Sequence, residues 1–226
     1  MSVTDRTRSL AERYAQLAGE VEPRPPDGAL RALDVVVATL ALVALSPLAL
    51  LIALLVLVTS GRPVLYRGER VGRYGRVFTM RKFRTLRRDA EARLGGTYGT
   101  ALTERMGEEA TPVGRILRAS QLDELPQLWN VLRGDMSIVG PRPVRPVFFE
   151  ELVQEIPAYW QRLVVRPGLT GFAQTRMGRE EAWAEKLAHD LEWIADRSVP
   201  LYLRIVGATA VRVLRQSLAA LVGRRG

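Results

Sequence analysis

Residues 35–58 read VVVATLALVALSPLALLIALLVLV, a run of 24 without a single charge. As a straight helix rising about 1.5 Å per residue, the run reaches about 36 Å, enough to cross a hydrocarbon core of about 30 Å. Ser46-Pro47 stands at its middle. Proline lacks the backbone N–H and clashes with the carbonyl four residues back, so a helix bends there. Each limb is then about half a bilayer deep, and the Ser46 hydroxyl is available to satisfy a freed carbonyl. These residues allow two dispositions: a kinked span, or a re-entrant helix-break-helix that enters one leaflet and returns. Flanking charge settles one side. Residues 59–93 carry eleven Lys/Arg against three Asp/Glu, which marks that flank as cytoplasmic. Residues 1–34 carry five Arg against six Asp/Glu and assign no side.

The remaining chemistry is narrowed by what the 226 residues lack. There is no cysteine, hence no disulfide and no thiolate metal site. The single histidine, His189, removes His-pair zinc motifs and argues against a Ser-His-Asp site. Reaction chemistry must therefore rest on carboxylates, Arg, Lys, hydroxyls or a bound ion. The net charge of +9 points to anionic partners. The uncharged membrane block sets nucleic acid aside and leaves phosphates and acidic lipids. The apolar run begins only after EPRPPDG at 22–28, too late for a signal peptide.

Three regions follow: an N-terminal segment with a Pro-rich linker (1–28), the membrane element (29–60) and the rest (61–226). The first holds a short amphipathic stretch at 7–20. Alternating runs at 64–66 and 77–80 predict two short strands. Helices are expected at 86–94, 112–119, 126–132, 147–163 with a break at Pro157, 179–197 and 199–222, with a loop at 95–100. On the last helix, Arg204, Arg212 and Arg215 fall within about 80° at about 100° per residue. This basic stripe suits a helix lying in the membrane interface, and equally a core helix with one solvated face.

Adjacent carboxylates Asp123 and Glu124 lie just before Pro126. Proline favours a first helical turn, where the macrodipole and free N–H groups stabilise negative charge. An ionised Asp can attack phosphorus, and a neighbouring Glu can hold magnesium. The bland alternative is capping, because Ser120-x-x-Asp123 is itself a capping pattern. Arg115, Arg118, Arg133 and Arg142 flank the pair and can neutralise phosphates. In KFRT at 82–85, Lys82 and Arg84 share a face if extended; they suit either a diphosphate or acidic headgroups. Arg142 sits between prolines in GPRP, and Arg166 begins the turn RPGLTG.

Taken in order, the Ser-Pro membrane block, RVGRYGRVFTMRKFRT, RASQLDELPQLWNVLRGDMSIVGPRP, RPGLTGFAQ and KLAHDLEWIADRS resemble the monotopic phosphoglycosyl transferases, also called bacterial sugar transferases, in their small form. The resemblance covers about residues 29–215. It implies an α+β, mainly helical fold: a re-entrant membrane helix broken at Ser46 and Pro47, plus a small cytosolic catalytic domain at 61–226 with short strands and interfacial amphipathic helices. It places the chain at the bacterial inner membrane with its catalytic domain on the cytoplasmic face. It implies transfer of a sugar 1-phosphate from a UDP-sugar to polyprenyl (undecaprenyl) phosphate, initiating a cell-surface glycan. Asp123 is then the nucleophile and Glu124 the ligand of Mg2+. Lys82, Arg84, Arg118, Arg142 and Arg166 match positions that contact phosphate or uridine. A homodimer is compatible with the family. The alternative function is an inactive membrane-bound scaffold. The sequence departs from the pattern at Arg62, which separates Gly61 from Pro63, and at Trp193 and Tyr202.

Overall fold

A computed structural model describes residues 24–90, 93, 105, 107–177 and 182–222. The segment expected at 7–20 and the loop at 95–100 lie outside these residues. The fold is mainly helical, with two small sheets.

Helix α1 spans Pro26–Ser60 and carries Pro47 inside it. It begins within the expected linker, because proline and Asp27 in the first turn suit a helix start. Ser46 Oγ donates to Val43 O at 2.9 Å. Val43 is four residues before Pro47, so its carbonyl is the one the missing proline N–H would have served.

Both limbs of α1 pack on one body. Leu30 and Ala38 join Leu128, Val131, Met136 and Tyr202. Ile52 and Val56 join Phe83 and Leu117. Leu125 packs against both groups. A straight helix of this length would measure about 52 Å. Between the limbs the apolar surface is open, with Val43 70% exposed. The first limb is anchored by the buried Asp34 carboxylate, whose Oδ1 accepts from Ser137 Oγ (2.9 Å), Ile138 N (2.8 Å) and Tyr202 Oη (3.0 Å). Tyr202, a position where the sequence departs from the pattern it resembles, is thus a hydrogen-bond donor to α1.

Strands β1 (Leu65–Val71) and β2 (Val77–Phe83) form an antiparallel hairpin with Leu65 opposite Phe83 and Val71 opposite Val77. The turn between them uses Tyr74 at φ 58 and Gly75 at φ 72. Leu86 bridges to Ala110 rather than starting the helix expected at 86–94, since its backbone is already paired.

Helix α2 (Pro112–Ser120) leads through a 3-10 turn at Leu122–Glu124 to α3 (Gln127–Arg133). Strand β3 (Ser137–Val139) pairs in parallel with β4 (Gly168–Thr170). At Gly168 a Cβ would lie 2.1 Å from Gly140 N, so this close approach admits only glycine. Helix α4 (Pro146–Glu155) ends where the Pro157 break was expected, and a 3-10 segment follows at Pro157–Val164. The chain closes with α5 (Phe172–Arg176), α6 (Trp183–Asp196) and α7 (Val199–Val222).

Helix α7 corrects the single basic stripe. Arg204 and Arg215 are exposed, on the same side as Leu203, Val211, Leu214 and Leu218. Arg212 instead turns inward, where its guanidinium donates to Gln174 O. The arginines share a sector of the wheel, but the edge of that sector is buried against α5.

Candidate functional site

Helix α2 begins at Thr111, whose Oγ1 accepts from Gly114 N at 2.9 Å. Ser120 makes no N-cap; its Oγ donates back to Ile116 O at 2.9 Å and Leu117 O at 3.2 Å. The capping reading of Ser120 with Asp123 therefore does not hold. Gln121 at φ 60 reverses the chain, and the 3-10 turn presents Asp123 and Glu124 just ahead of α3.

Two contacts lock α3 to β2. Asn130 Nδ2 donates to Thr79 O at 2.8 Å, and Arg81 N donates to Asn130 Oδ1 at 3.1 Å. This fixes the register that brings Lys82 Nζ to 2.6 Å from Glu124 Oε1. Arg142, on the loop after β3, reaches the same oxygen at 3.2 Å. Burial works to raise the Glu124 pKa, but Lys82 and Arg142 outweigh it and hold it at about 2. Asp123 is only 8% exposed. Burial pushes its carboxyl above the ordinary range; Lys82 opposes this, the Glu124 charge adds to it, and Arg118 and Arg142 oppose it further.

The pair opens into a cavity of about 700 Å³, whose wall also includes Lys82, Arg84, Arg118 and Arg142. Of the residues singled out in the sequence, six therefore come together. They differ in what they do. Arg84 donates to Ser60 O, to Gly61 O at 2.8 Å and to Arg62 O at 3.4 Å, closing the carbonyl end of α1. Arg166 stands apart from the cavity wall. Its Nε donates to Gly134 O at 2.9 Å, beside Arg31, which donates to Val131 O and Leu132 O at 2.7 and 3.0 Å. Two guanidiniums thus satisfy the C-terminal carbonyls of α3.

Among the described residues no group of three or more His, Cys, Asp or Glu gathers as a metal cage. An ion at Asp123 and Glu124 would need its other ligands from substrate oxygens and water, which is how magnesium is ordinarily held.

Sequence reasoning missed Arg162 and Asp190. Both are buried, pair at 2.6 Å and line the cavity. The signal was present: Leu187, Asp190 and Trp193 follow at i, i+3 and i+6 on one buried face, and a carboxylate on an apolar face needs a partner.

Residues 27–216 match the family described as bacterial sugar transferase. The chain is 42% identical over 189 residues to a UDP-glucose:undecaprenyl-phosphate glucose-1-phosphate transferase of Caulobacter vibrioides, covering 81% of this chain and 69% of that one. It is 37% identical over 220 residues to the exopolysaccharide production protein ExoY of Sinorhizobium fredii, covering 92% and 95%. It is 36% identical over 187 residues to a UDP-N-acetylgalactosamine-undecaprenyl-phosphate N-acetylgalactosaminephosphotransferase of Aeromonas hydrophila, covering 81% of this chain. The chain spans only 43% of the length of that Aeromonas protein.

Proposed function

The chain belongs to the bacterial sugar transferase family, and on that premise we propose that it moves a sugar 1-phosphate from a UDP-sugar to a polyprenyl phosphate such as undecaprenyl phosphate. One observation carries the reading: the buried Asp123 borders a basic cavity next to Glu124, which Lys82 and Arg142 keep ionised.

A carboxylate oxygen of Asp123 attacks the β-phosphorus of the UDP-sugar. The bond from that phosphorus to the bridging oxygen breaks, and its electron pair departs with UMP. A phosphosugar ester on Asp123 remains. An oxygen of polyprenyl phosphate then attacks the same phosphorus and breaks the bond to Asp123. This yields polyprenyl-diphosphate-sugar and restores the carboxylate. Burial strips water from Asp123 and raises its basicity, which favours attack. Lys82, Arg118 and Arg142 face the charge gathering on the phosphoryl oxygens. Glu124, with Asp123 beside it, would hold a magnesium ion, which would offset diphosphate charge. The lipid product would prime exopolysaccharide or related glycan assembly.

The membrane element supports a re-entrant disposition at the cytoplasmic face of the inner membrane. Its two limbs pack on the same domain, Ser46 serves the Val43 carbonyl that Pro47 leaves free, and the apolar surface between the limbs is open. The basic 59–93 flank agrees with that face.

The deciding experiment supplies purified protein with a panel of UDP-sugars and magnesium and reads intact mass for a phosphosugar adduct. UMP release is then followed with polyprenyl phosphate. Adduct on the wild type and none on Asp123→Asn is the expected result. Equal UMP release by both proteins overturns the assignment and favours a scaffold.

A further inference from the structure

Tyr159 belongs to a packing cluster that contains no residue of α1, and the ring it meets, Trp183, lines the cavity. Trp183 is the first residue of α6 and keeps 38% of its surface exposed. An indole left open inside a cavity offers a broad apolar face. Its setting is tightly built. The Tyr159 ring meets it edge-on, with centroids 6.4 Å apart at 83°. Lys186 Nζ lies 4.8 Å from the indole centroid, and Lys186 also lines the cavity.

Behind the indole, Tyr159 is fully buried and tilts against Phe149 at 5.7 Å. Arg162 donates to the Tyr159 hydroxyl and lies 4.7 Å over its ring. The same guanidinium pairs with Asp190 and donates to Arg142 O at 2.9 Å. Arg142 in turn reaches Glu124. A buried ion pair is a poor way to gain stability. Here it fixes at once the ring that holds Trp183 and the backbone of a residue that touches Glu124.

We propose that Trp183 and Lys186 form the ring-binding wall of the donor site. The indole takes a flat ring face of the nucleotide-sugar, and the ammonium lies beside its oxygens. The inference rests on the transferase reading above. Two rings of the donor have this chemistry: the uracil, by stacking, and the apolar face of the sugar. The acceptor has neither, because a polyprenyl phosphate carries no ring; a wall for uracil serves only the first half-reaction, whereas a wall for the sugar also holds the phosphosugar of Asp123 in the second.

The test compares wild type, Trp183→Ala and Trp183→Phe. UMP affinity is measured by calorimetry, and KM is measured separately for UDP-sugar and for polyprenyl phosphate. Stacking losses are typically tenfold or more in affinity. A roughly tenfold loss of UMP affinity in the alanine variant identifies uracil as the ring. Unchanged UMP affinity with a roughly tenfold higher KM for UDP-sugar identifies the sugar. Either result supports the wall, with Phe recovering most of the loss and, where uracil is the ring, the KM for polyprenyl phosphate unmoved. Because Trp183 is open and begins its helix, the Ala variant should melt within a few degrees of wild type; the Phe variant keeps the comparison valid if it does not. Wild-type values in the alanine variant, or a change confined to polyprenyl phosphate, overturn the proposal. A wild type that forms no adduct with any UDP-sugar overturns the transferase reading instead.

Discussion

Lys82 Nζ sits 2.6 Å from Glu124 Oε1 across 42 residues of chain, a contact set by the Asn130 bridge between β2 and α3. The ion pair is largely shielded from solvent, so it makes Glu124 a permanently charged neighbour for Asp123.

Glu124→Gln should lower stability at neutral pH. The folded pKa of about 2 lies below the ordinary 4.5. A depressed carboxyl contributes stability above its unfolded pKa and loses it as pH falls through the folded value. The contribution, about 3 kcal/mol, should be full above about pH 4.5 and fade toward pH 2. Melting curves of both proteins across pH 2–7 read it; a gap that does not close in acid argues against the ion pair.

Asp123→Asn should have the opposite effect on stability while abolishing the adduct. Its folded pKa is raised above 3.8, chiefly by burial. A raised carboxyl favours the fold below its unfolded pKa, and that contribution is lost as pH rises through the folded value. The wild type is therefore penalised at neutral pH, and the variant should melt higher there, with the difference vanishing below about pH 3.8. Wild-type adduct formation should fall off on the acid side at a pH above 3.8. A lower melting point for the variant at pH 7 would contradict the burial argument.

Arg142→Ala and Arg166→Ala should separate cleanly. Arg142 touches Glu124 and lines the cavity, so its loss should raise KM for UDP-sugar. Arg166 donates to the carbonyl after α3, so its loss should cost about 1 kcal/mol of stability with KM little changed. Steady-state kinetics beside thermal melts distinguish the two, and a large KM effect at Arg166 would restore it to the substrate site.

Replacing Ser46 and Pro47 together by Ala and Leu should let α1 run straight. In the native protein, single cysteines at Gly28 and Arg76 should label from the same side of sealed vesicles, the chain having no cysteine of its own. In the double variant they should label from opposite sides. Opposite-side labelling of the native protein would refute the re-entrant reading.

Much of this was legible in the sequence because it is written in local signals. The apolar run with its internal proline, the Asp-Glu pair ahead of Pro126 and the Pro157 interruption all depend on neighbours in the chain; the helix break expected at Ser46 and Pro47 is not seen, since α1 runs through Pro47 as one helix. The arginines were harder to read. Arg84, Arg166 and Arg31 look alike in sequence, and positive charge beside a catalytic motif suggests phosphate. In the fold these three close helix ends, because orphan carbonyls compete for the same donors. Which partner an arginine finds is decided by tertiary placement. The Arg162–Asp190 pair was likewise hidden, its members 28 residues apart.

Leu125, two residues from Asp123, touches the packing of both α1 limbs. On the proposed mechanism and topology, Asp123 is therefore held at a set height above the bilayer plane. On the proposed topology the acceptor never has to be captured from bulk water. It arrives by lateral diffusion in two dimensions, so turnover should follow its surface density in the lipid rather than its concentration per volume.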